Sequence, residues 1–392
     1  MRRPTDSERV PGSRRASPTM GVEEEFLLVG IESGETVSRA DAVLRRAGRH
    51  PADDAGGGFH PELYETQLEA ATGVCRELGE LHAQLRWARA GLAAAARAEG
   101  LRLISAGVPV LPSRPPRPAP GERFRRIALL YGDVIADYEA CGCHVHVGVA
   151  DRETAVAVVN HLRPWLPTLL ALSVNSPISG GRDSGFASRR MVDQSRFPGA
   201  GVPPWFASAA AYHDQVARLV ECGVLVDDAM TFWLARPSAK LPTVEVRAAD
   251  AAATAGEAVL QAALTRALVS TALAALGTGR EAPKITAVSC ATALWSAARH
   301  GLDGSGFDPF EERRVPAGYL LDRLVALVTP ALEDSGDLPA VRALLKEVAW
   351  RGTGAARQRR AMAGGPKAVV DLLAAQTTAA SATWIPAEGE RT

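Results

Sequence analysis

The stretch MGVEEEFLL (residues 20–28) sets three consecutive carboxylates, Glu23, Glu24 and Glu25, inside an apolar run. Val22, Glu24, Phe26 and Leu28 alternate with Glu23, Glu25 and Leu27, the period-two pattern of a strand with one buried face. A buried carboxylate without a partner is costly, so it shifts its pKa, pairs with a cation or binds metal. Two more segments repeat the pattern. CGCHVHVGV (141–149) puts His144 and His146 on one side of a strand, and PTVEVRAAD (242–250) does the same with Glu245 and Arg247. The opposite faces are apolar, carrying Val22 and Phe26, Val145 and Val147, Val244 and Val246. Glu24 alone falls on the apolar side, which predicts a position near the strand edge. ELYETQLEAATG (62–73) adds Glu62 and Glu69, with Glu65, Gln67 and Glu69 sharing a face.

Taken singly, EEE reads as a solvated edge, HVH as half-exposed or core histidines, and EVR as a cross-strand ion pair. Their joint occurrence on alternating strands with apolar backs points instead to one sheet surface lined by carboxylates, imidazoles and a guanidinium. Hard oxygen ligands with one or two imidazoles suit Mg²⁺ or Mn²⁺ better than zinc. Such ions beside an arginine point to binding and transfer of a phosphoryl group. A zinc reading of CGCHVH fails on strand geometry, because Cys141 and Cys143 point away from His144 and His146. No second CxxC and no HExxH completes a tetrahedral site. GxxxxGK[ST] is absent and GGRDSG does not match GxGxxG, so ATP would bind here without a P-loop or Rossmann turn.

The 392 residues are 47% hydrophobic and 22% charged, enough for a large core in one big domain or two smaller ones. Lys+Arg and Asp+Glu both total 44, so no bulk basic field suggests nucleic acid or an anionic membrane. Five cysteines without a framework spacing suit a reducing cytoplasm. Residues 1–19, rich in Arg, Pro and Ser, read as a disordered tail, with Met20 as an alternative start, and lack the apolar core of a signal peptide. The apolar stretch 258–277 is interrupted by Gln261, Arg266 and Ser270 and reads as a core helix. Leu78, Leu81, Leu85 and Leu92 have helical spacing, and Thr254 with Glu257 forms a capping box. The polar run 175–206 is too long for an idle connector. From Thr254 to about residue 378 the pattern is helical, with breaks at 301–306, 335–336 and 364–366. Strands concentrate early and helices late, which predicts an α+β fold in one domain over 20–378, followed by a tail over 379–392.

In this order, GVEEEFLLV (21–29), ELYETQLEAATGVC (62–75), CGCHVHVGV (141–149), LSVNSPISGGRDSGFASRR (172–190), VEVRAAD (244–250) and RGTGAARQR (351–359) resemble the YbdK-type carboxylate–amine ligases, also called type 2 glutamate–cysteine ligases. The resemblance implies a glutamine synthetase-like fold: a curved, largely antiparallel sheet with flanking helices, and ATP and divalent ions on its concave face. It implies that ATP phosphorylates the carboxylate of glutamate and that the amine of a second amino acid, typically cysteine, attacks the acyl phosphate. Carried over by position, Glu23, Glu25, Glu62, Glu69, His144 and Glu245 match the metal-binding positions. Arg247, Glu245 and His146 fall at the nucleotide, with Arg247 facing the transferring phosphate. Arg182 and Arg190 are candidates for a substrate carboxylate or phosphate. Ala253 stands where the family usually has proline, a change expected to touch only the start of the next helix. The same chemistry on another carboxylate–amine pair, a nucleotide- or amino-acid-binding paralogue with weak catalysis, and a metallohydrolase are the rival readings. Small molecules are the expected partners, with neither nucleic acid nor membrane, and a homodimer is among the possible assemblies.

Overall fold

The computed structural model describes residues 17–48, 56–112 and 115–379. Residues 1–16 and 380–392, most of the two expected tails, lie outside the described residues. Thr19, assigned to the first tail, is tied to the end of the sheet: its carbonyl accepts a hydrogen bond from the Gly148 N–H at 2.9 Å.

Strand β1 (Met20–Gly30) is the axis of a seven-stranded sheet. The other members are β2 (Gly58–Pro61), β3 (Gln67–Ala71), β4 (Leu101–Ile104), β5 (Gly142–Gly148), then, beyond a separate hairpin of β6 (Ile178–Ser179) and β7 (Arg182–Asp183), β8 (Ala235–Pro237) and β9 (Thr243–Asp250). The order is β2-β3-β1-β5-β9-β8, with β4 paired to the end of β1, and every pairing is antiparallel. The charged strands of the sequence are therefore the central ones. The short edges β2, β4 and β8 were not expected, nor was the hairpin of β10 (Ser305–Asp308) and β11 (Arg313–Pro316), which interrupts the helical C-terminal part.

Helices α1 (Ala40–Ala47), α2 (Leu78–Ala98), α3 (Glu122–Tyr131), α4 (Arg152–Leu162), α5 (Leu166–Ser173), α6 (Arg189–Gln194), α7 (Ala209–Glu221) and α8 (Ala255–Gly277) are followed by α9 (Ala287–His300), α10 (Ala317–Ser335), α11 (Leu338–Arg351), α12 (Gly354–Ala361) and α13 (Pro366–Thr377). The apolar face of the sheet packs on them. Val22, Val145, Val147, Val244 and Val246 join α2, α4, α5, α8, α10 and α11 in the main core, while Phe26, Leu28 and Leu68 pack on α1 and α2. Each fully buried Leu, Val or Phe contributes about 1.5–3 kcal/mol. By length and composition α8 could cross a membrane, yet it is mostly buried at the centre of this core. Its N-cap uses half of the expected box: Thr254 Oγ1 accepts from Glu257 N at 3.3 Å, while the Glu257 carboxylate turns to Arg357, 2.6 Å away.

Glu24 overturns the expectation of an edge position. It sits on the central strand, 1% exposed, facing the helices, and Arg89 of α2 clamps it through Nε at 2.9 Å and Nη2 at 2.6 Å. The same guanidinium donates to the carbonyls of Ala252, Ala253 and Thr377, so one ion pair ties β1, α2, the β9–α8 corner and the end of α13 together.

Candidate active site

The opposite face of the sheet carries the remaining charges. Antiparallel register sets Glu23 against His144, Glu25 against Glu69, His146 against Glu245 and Glu245 against Arg236. A bulge between Cys143 and Val145 interrupts β5 beside this row. These residues, with Glu62, Arg190 and Arg247, line one cavity of about 960 Å³. Its far wall comes from α3 and the 227–241 segment, including Phe124, Ile127, Phe232, Arg123 and Lys240.

Two groups of side chains bring ligand atoms close enough to share an ion. Glu23, His146 and Glu245 form one, and Glu25, Glu62 and Glu69 the other, each with its atoms within 4.8 Å of one another. The groups differ electrostatically. Burial and the charge of Glu62 push the Glu25 carboxyl up to about 8. Burial raises Glu62 too, and burial with the charges of Glu23 and Glu62 lifts Glu69 well above the usual range. This trio is a carboxyl cluster short of positive charge. In the other group burial opposes ionisation, but Arg236 and Arg247 outweigh it and hold Glu245 down at about 2. Burial likewise opposes ionisation of Glu23, and the adjacent His144 and His146 imidazoles overcome it, holding Glu23 well below its ordinary value.

The histidines part company. Burial and then the charge of Arg247 drop His144 to about 4, so it is neutral near pH 7. Burial also opposes the charging of His146, but Glu23 and Glu245 outweigh it and raise His146 above its ordinary value. His146 Nδ1 lies 2.9 Å from Thr243 Oγ1, which fixes the ring and turns Nε2 toward Glu23, 3.3 Å away. His144 spans Glu23 and Glu25 at 3.4 and 3.6 Å but belongs to neither ion group, whereas His146, expected at the nucleotide, does. Nε2 of both rings is buried without a well-placed hydrogen-bond partner, as befits groups that await a ligand. Neither group contains a cysteine, and Cys143 packs in the main core.

Arg247 lines the cavity with Nη1 3.1 Å from Glu245 Oε1 and its Nε buried without a partner. Arg190 enters from α6, where its N–H donates to Ser176 Oγ and its Nη2 to the Arg247 carbonyl at 3.2 Å. Behind it, buried Asp250 accepts from the backbone N–H of Asn175 and the hydroxyls of Ser176 and Ser188, bracing β9 against α6. Arg182 is not brought in. It lies exposed on β7 and lines a different, smaller cavity, because the β6–β7 hairpin leaves the sheet. Arg236, not among the expected residues, grips Glu245 through Nε at 2.7 Å and Nη2 at 3.0 Å. A signal existed: RPSAKLPTVE (236–245) is a hairpin length that sets opposite charges directly across.

An antiparallel sheet with helices on one face and a cavity of acidic, imidazole and guanidinium groups on the other is the architecture of glutamine synthetase-like ligases. The model of glutamate-cysteine ligase family 2 (GCS2) matches residues 19–377, and the chain belongs to that family of carbon–nitrogen ligases. A protein of Saccharopolyspora erythraea, provisionally named glutamate–cysteine ligase 2-2, is 54% identical over 374 residues, covering 95% of each chain. The glutamate–cysteine ligase of Francisella tularensis, solved with AMP, superposes with a TM-score of 0.66 at 14% identity, over 94% of this chain and 90% of that one. The ligase PafA, solved in complex with the ubiquitin-like protein Pup, gives 0.52 at 13% identity, over 89% and 68%. These two likenesses concern the fold.

Proposed function

We propose that the protein couples ATP cleavage to amide formation, joining the carboxylate of L-glutamate to the amine of L-cysteine with release of ADP and phosphate, in a reducing cytoplasm. The observation that carries this reading is the pair of adjoining ion groups beneath Arg247 and Arg236. The residues fit divalent cations of the Mg²⁺ or Mn²⁺ type: hard oxygens dominate, one imidazole completes the first group, and the second is a carboxyl trio short of positive charge. Glu23, His146 and Glu245 would hold one ion and Glu25, Glu62 and Glu69 the other, with His144 bridging the two groups. When bound, such ions neutralise phosphate charge and align the γ-phosphoryl group for transfer.

The chain's own residues do the rest. Arg247 presents its guanidinium where charge grows on the transferring phosphoryl group, and its bond to Glu245 fixes its orientation. Arg190, braced through Asp250 and Ser176, suits a planar carboxylate or phosphate. The 122–131 helix and Phe232 wall off the cavity, protecting an acyl phosphate from water until the amine attacks its carbonyl carbon and phosphate leaves. The test is an ADP-release screen of amino acids in pairs with Mg²⁺, followed by mass spectrometry. ADP that depends on both glutamate and cysteine, with γ-glutamylcysteine as product, is the expected result. ADP release with a different pair would retain the chemistry and replace the substrates. Release without any amine would favour hydrolysis.

A further inference from the structure

Among the described residues that line the carboxylate-rich cavity, none comes from RGTGAARQR (351–359), and neither ion group draws on it. The segment forms the start of α12, whose first turns pack against Asn175, just beyond α5. Gly354 lies so close that a Cβ on it would fall 2.2 Å from Asn175 Oδ1. One turn on, Gln358 Nε2 donates to both the backbone carbonyl and Oδ1 of Asn175, each at 2.8 Å. Asn175 Nδ2 in turn donates to the carbonyls of Ser105 and Ala251, at 3.0 and 2.8 Å. Asn175 and Gln358 are each 1% exposed, so water does not compete for these bonds.

Asn175 passes this fixation to α6 through one carboxylate. Its N–H donates to Asp250 Oδ2 at 2.9 Å, and Asp250 also accepts from the hydroxyls of Ser176 at 2.7 Å and Ser188 at 2.8 Å. A hydroxyl that donates to Asp250 keeps its lone pairs for the start of α6. Ser176 Oγ accepts from the Arg190 N–H and Ser188 Oγ from the Met191 N–H, both at 3.2 Å. Space is tight here too: a Cβ on Gly107 would fall 2.8 Å from both Asp250 Cγ and Ser176 Oγ. The backbone of Arg190 is therefore fixed by a buried network that begins on α12.

The side chain of Arg190 is held at its other end. Nη2 donates to the Arg247 carbonyl at 3.2 Å and Nη1 to the Ala248 carbonyl at 3.5 Å, while Nη1 stays 3.9 Å from Asp250 Oδ1. Gly142 leaves the room this needs, since a Cβ there would fall 2.5 Å from Arg190 Nη2 and 2.8 Å from His144 Nε2. Arg190 is 3% exposed and lines the cavity, yet it is bonded to carbonyls, whereas Arg89 is closed off by a carboxylate. A buried fork mounted in this way has little freedom to lose when an oxyanion arrives.

We propose that α12 and Asn175 are the positioning element of Arg190, with Gly354 and Gln358 as positioning residues, and that the guanidinium so placed receives a carboxylate or phosphate oxyanion of a substrate. The inference rests on the ligase reading for the source of that oxyanion, but its test reads binding and needs no turnover. A misplacement of about 1 Å costs about 10²-fold, so changes outside the cavity are felt inside it.

Calorimetric titrations of the full chain with L-glutamate, inorganic phosphate and ADP, all with Mg²⁺, make the test. Arg190→Met identifies the oxyanion: it is whichever of glutamate and phosphate this variant weakens more. Gln358→Met keeps the volume and removes the donor to Asn175, and Gly354→Ala forces α12 away from Asn175. Each should weaken that same oxyanion about tenfold or more while ADP stays within about twofold of the parent. Arg359→Met is the control on the same helix, because Arg359 ties Asp183 of β7 at 2.9 Å, and it should leave all three affinities unchanged. If Gly354→Ala does not fold, Gln358→Met carries the test. Oxyanion binding that Gln358→Met leaves intact overturns the proposal. So does an equal loss of ADP binding, an equal loss in Arg359→Met, or a parent that binds neither glutamate nor phosphate. The expected pattern in a protein that releases ADP with no amino-acid pair would overturn the ligase reading and retain the positioning element.

Discussion

Glu24 and Glu25 are neighbours on one buried strand, yet the protein treats their charges in opposite ways. Glu24 faces the helices and is closed off by Arg89, which spends its remaining donors on three backbone carbonyls. Glu25 faces the cavity, receives one backbone hydrogen bond from Gly142 at 2.5 Å, and shares its surroundings with Glu62 and Glu69. A carboxylate neutralised within the chain holds elements together; one left short of positive charge is available to an external cation. Burial alone does not separate a structural acid from a functional one, because both are buried. The counter-charge does.

The largest effect should come from removing one partner of the closed pair. Arg89→Met strands Glu24 in the core, and breaking a buried pair in this way costs about 3–5 kcal/mol. Urea unfolding should show that loss with or without Mg²⁺. The double variant Glu24→Leu/Arg89→Met should recover much of it, since no unpaired charge remains. A single variant within about 1 kcal/mol of the parent would mean that water reaches Glu24.

On the cavity side, Arg247→Lys keeps the charge and loses the planar fork. Turnover should fall about 10²-fold or more, with a smaller effect on the Michaelis constant for ATP, as for loss of a donor aimed at the transition state. Near-normal turnover would reduce Arg247 to an ion-pair partner of Glu245 and pass its role to Arg236.

How the pattern was legible differs between the two sides. Glu23, Glu25, His144, His146, Glu245 and Arg247 stood out because charge at every second residue of an apolar-backed strand needs a counter-charge or a ligand on that face, and the three strands carrying them are adjacent in the sheet. Strands β2, β4 and β8 have only three or four residues, too few for a period to emerge. The partner of Glu24 lies 65 residues away on a helix, and no local spacing announces such a contact. Arg182 was carried over from the resemblance, which does not show that the short hairpin holding it turns toward another cavity.

Glu69→Gln probes the same contrast from the cavity side. Removing a carboxyl whose ionisation the fold opposes should stabilise the metal-free protein by about 1–3 kcal/mol near pH 8, the opposite sign to Arg89→Met. The same change should abolish Mg²⁺-dependent ADP formation. Destabilisation of the metal-free protein would show that Glu69 has a counter-charge in the fold.

The smallest expected effect tests the trio by titration. Glu25, Glu62 and Glu69 have folded-state pKa values above their unfolded ones, by burial first and by the charge of neighbouring carboxylates, Glu23 among them, second. The sign follows: their contribution to stability is fully present below the unfolded value near 4.5 and is lost as pH rises through the folded one, about 8 for Glu25. Above about pH 7, where His144 is neutral both folded and unfolded, the melting temperature of the metal-free protein should therefore decline by a few degrees up to about pH 8.5. Glu23 and Glu245 are held low and stay ionised over that range, so they add nothing to the slope. Divalent cations need the ionised trio, so Mg²⁺ should raise the melting temperature more at the alkaline end, where it competes with fewer protons. Glu69→Gln should flatten both trends. A Mg²⁺ effect equal at the two pH values would place the ion away from this trio and leave Glu23, His146 and Glu245 as its only candidate ligands among the described residues.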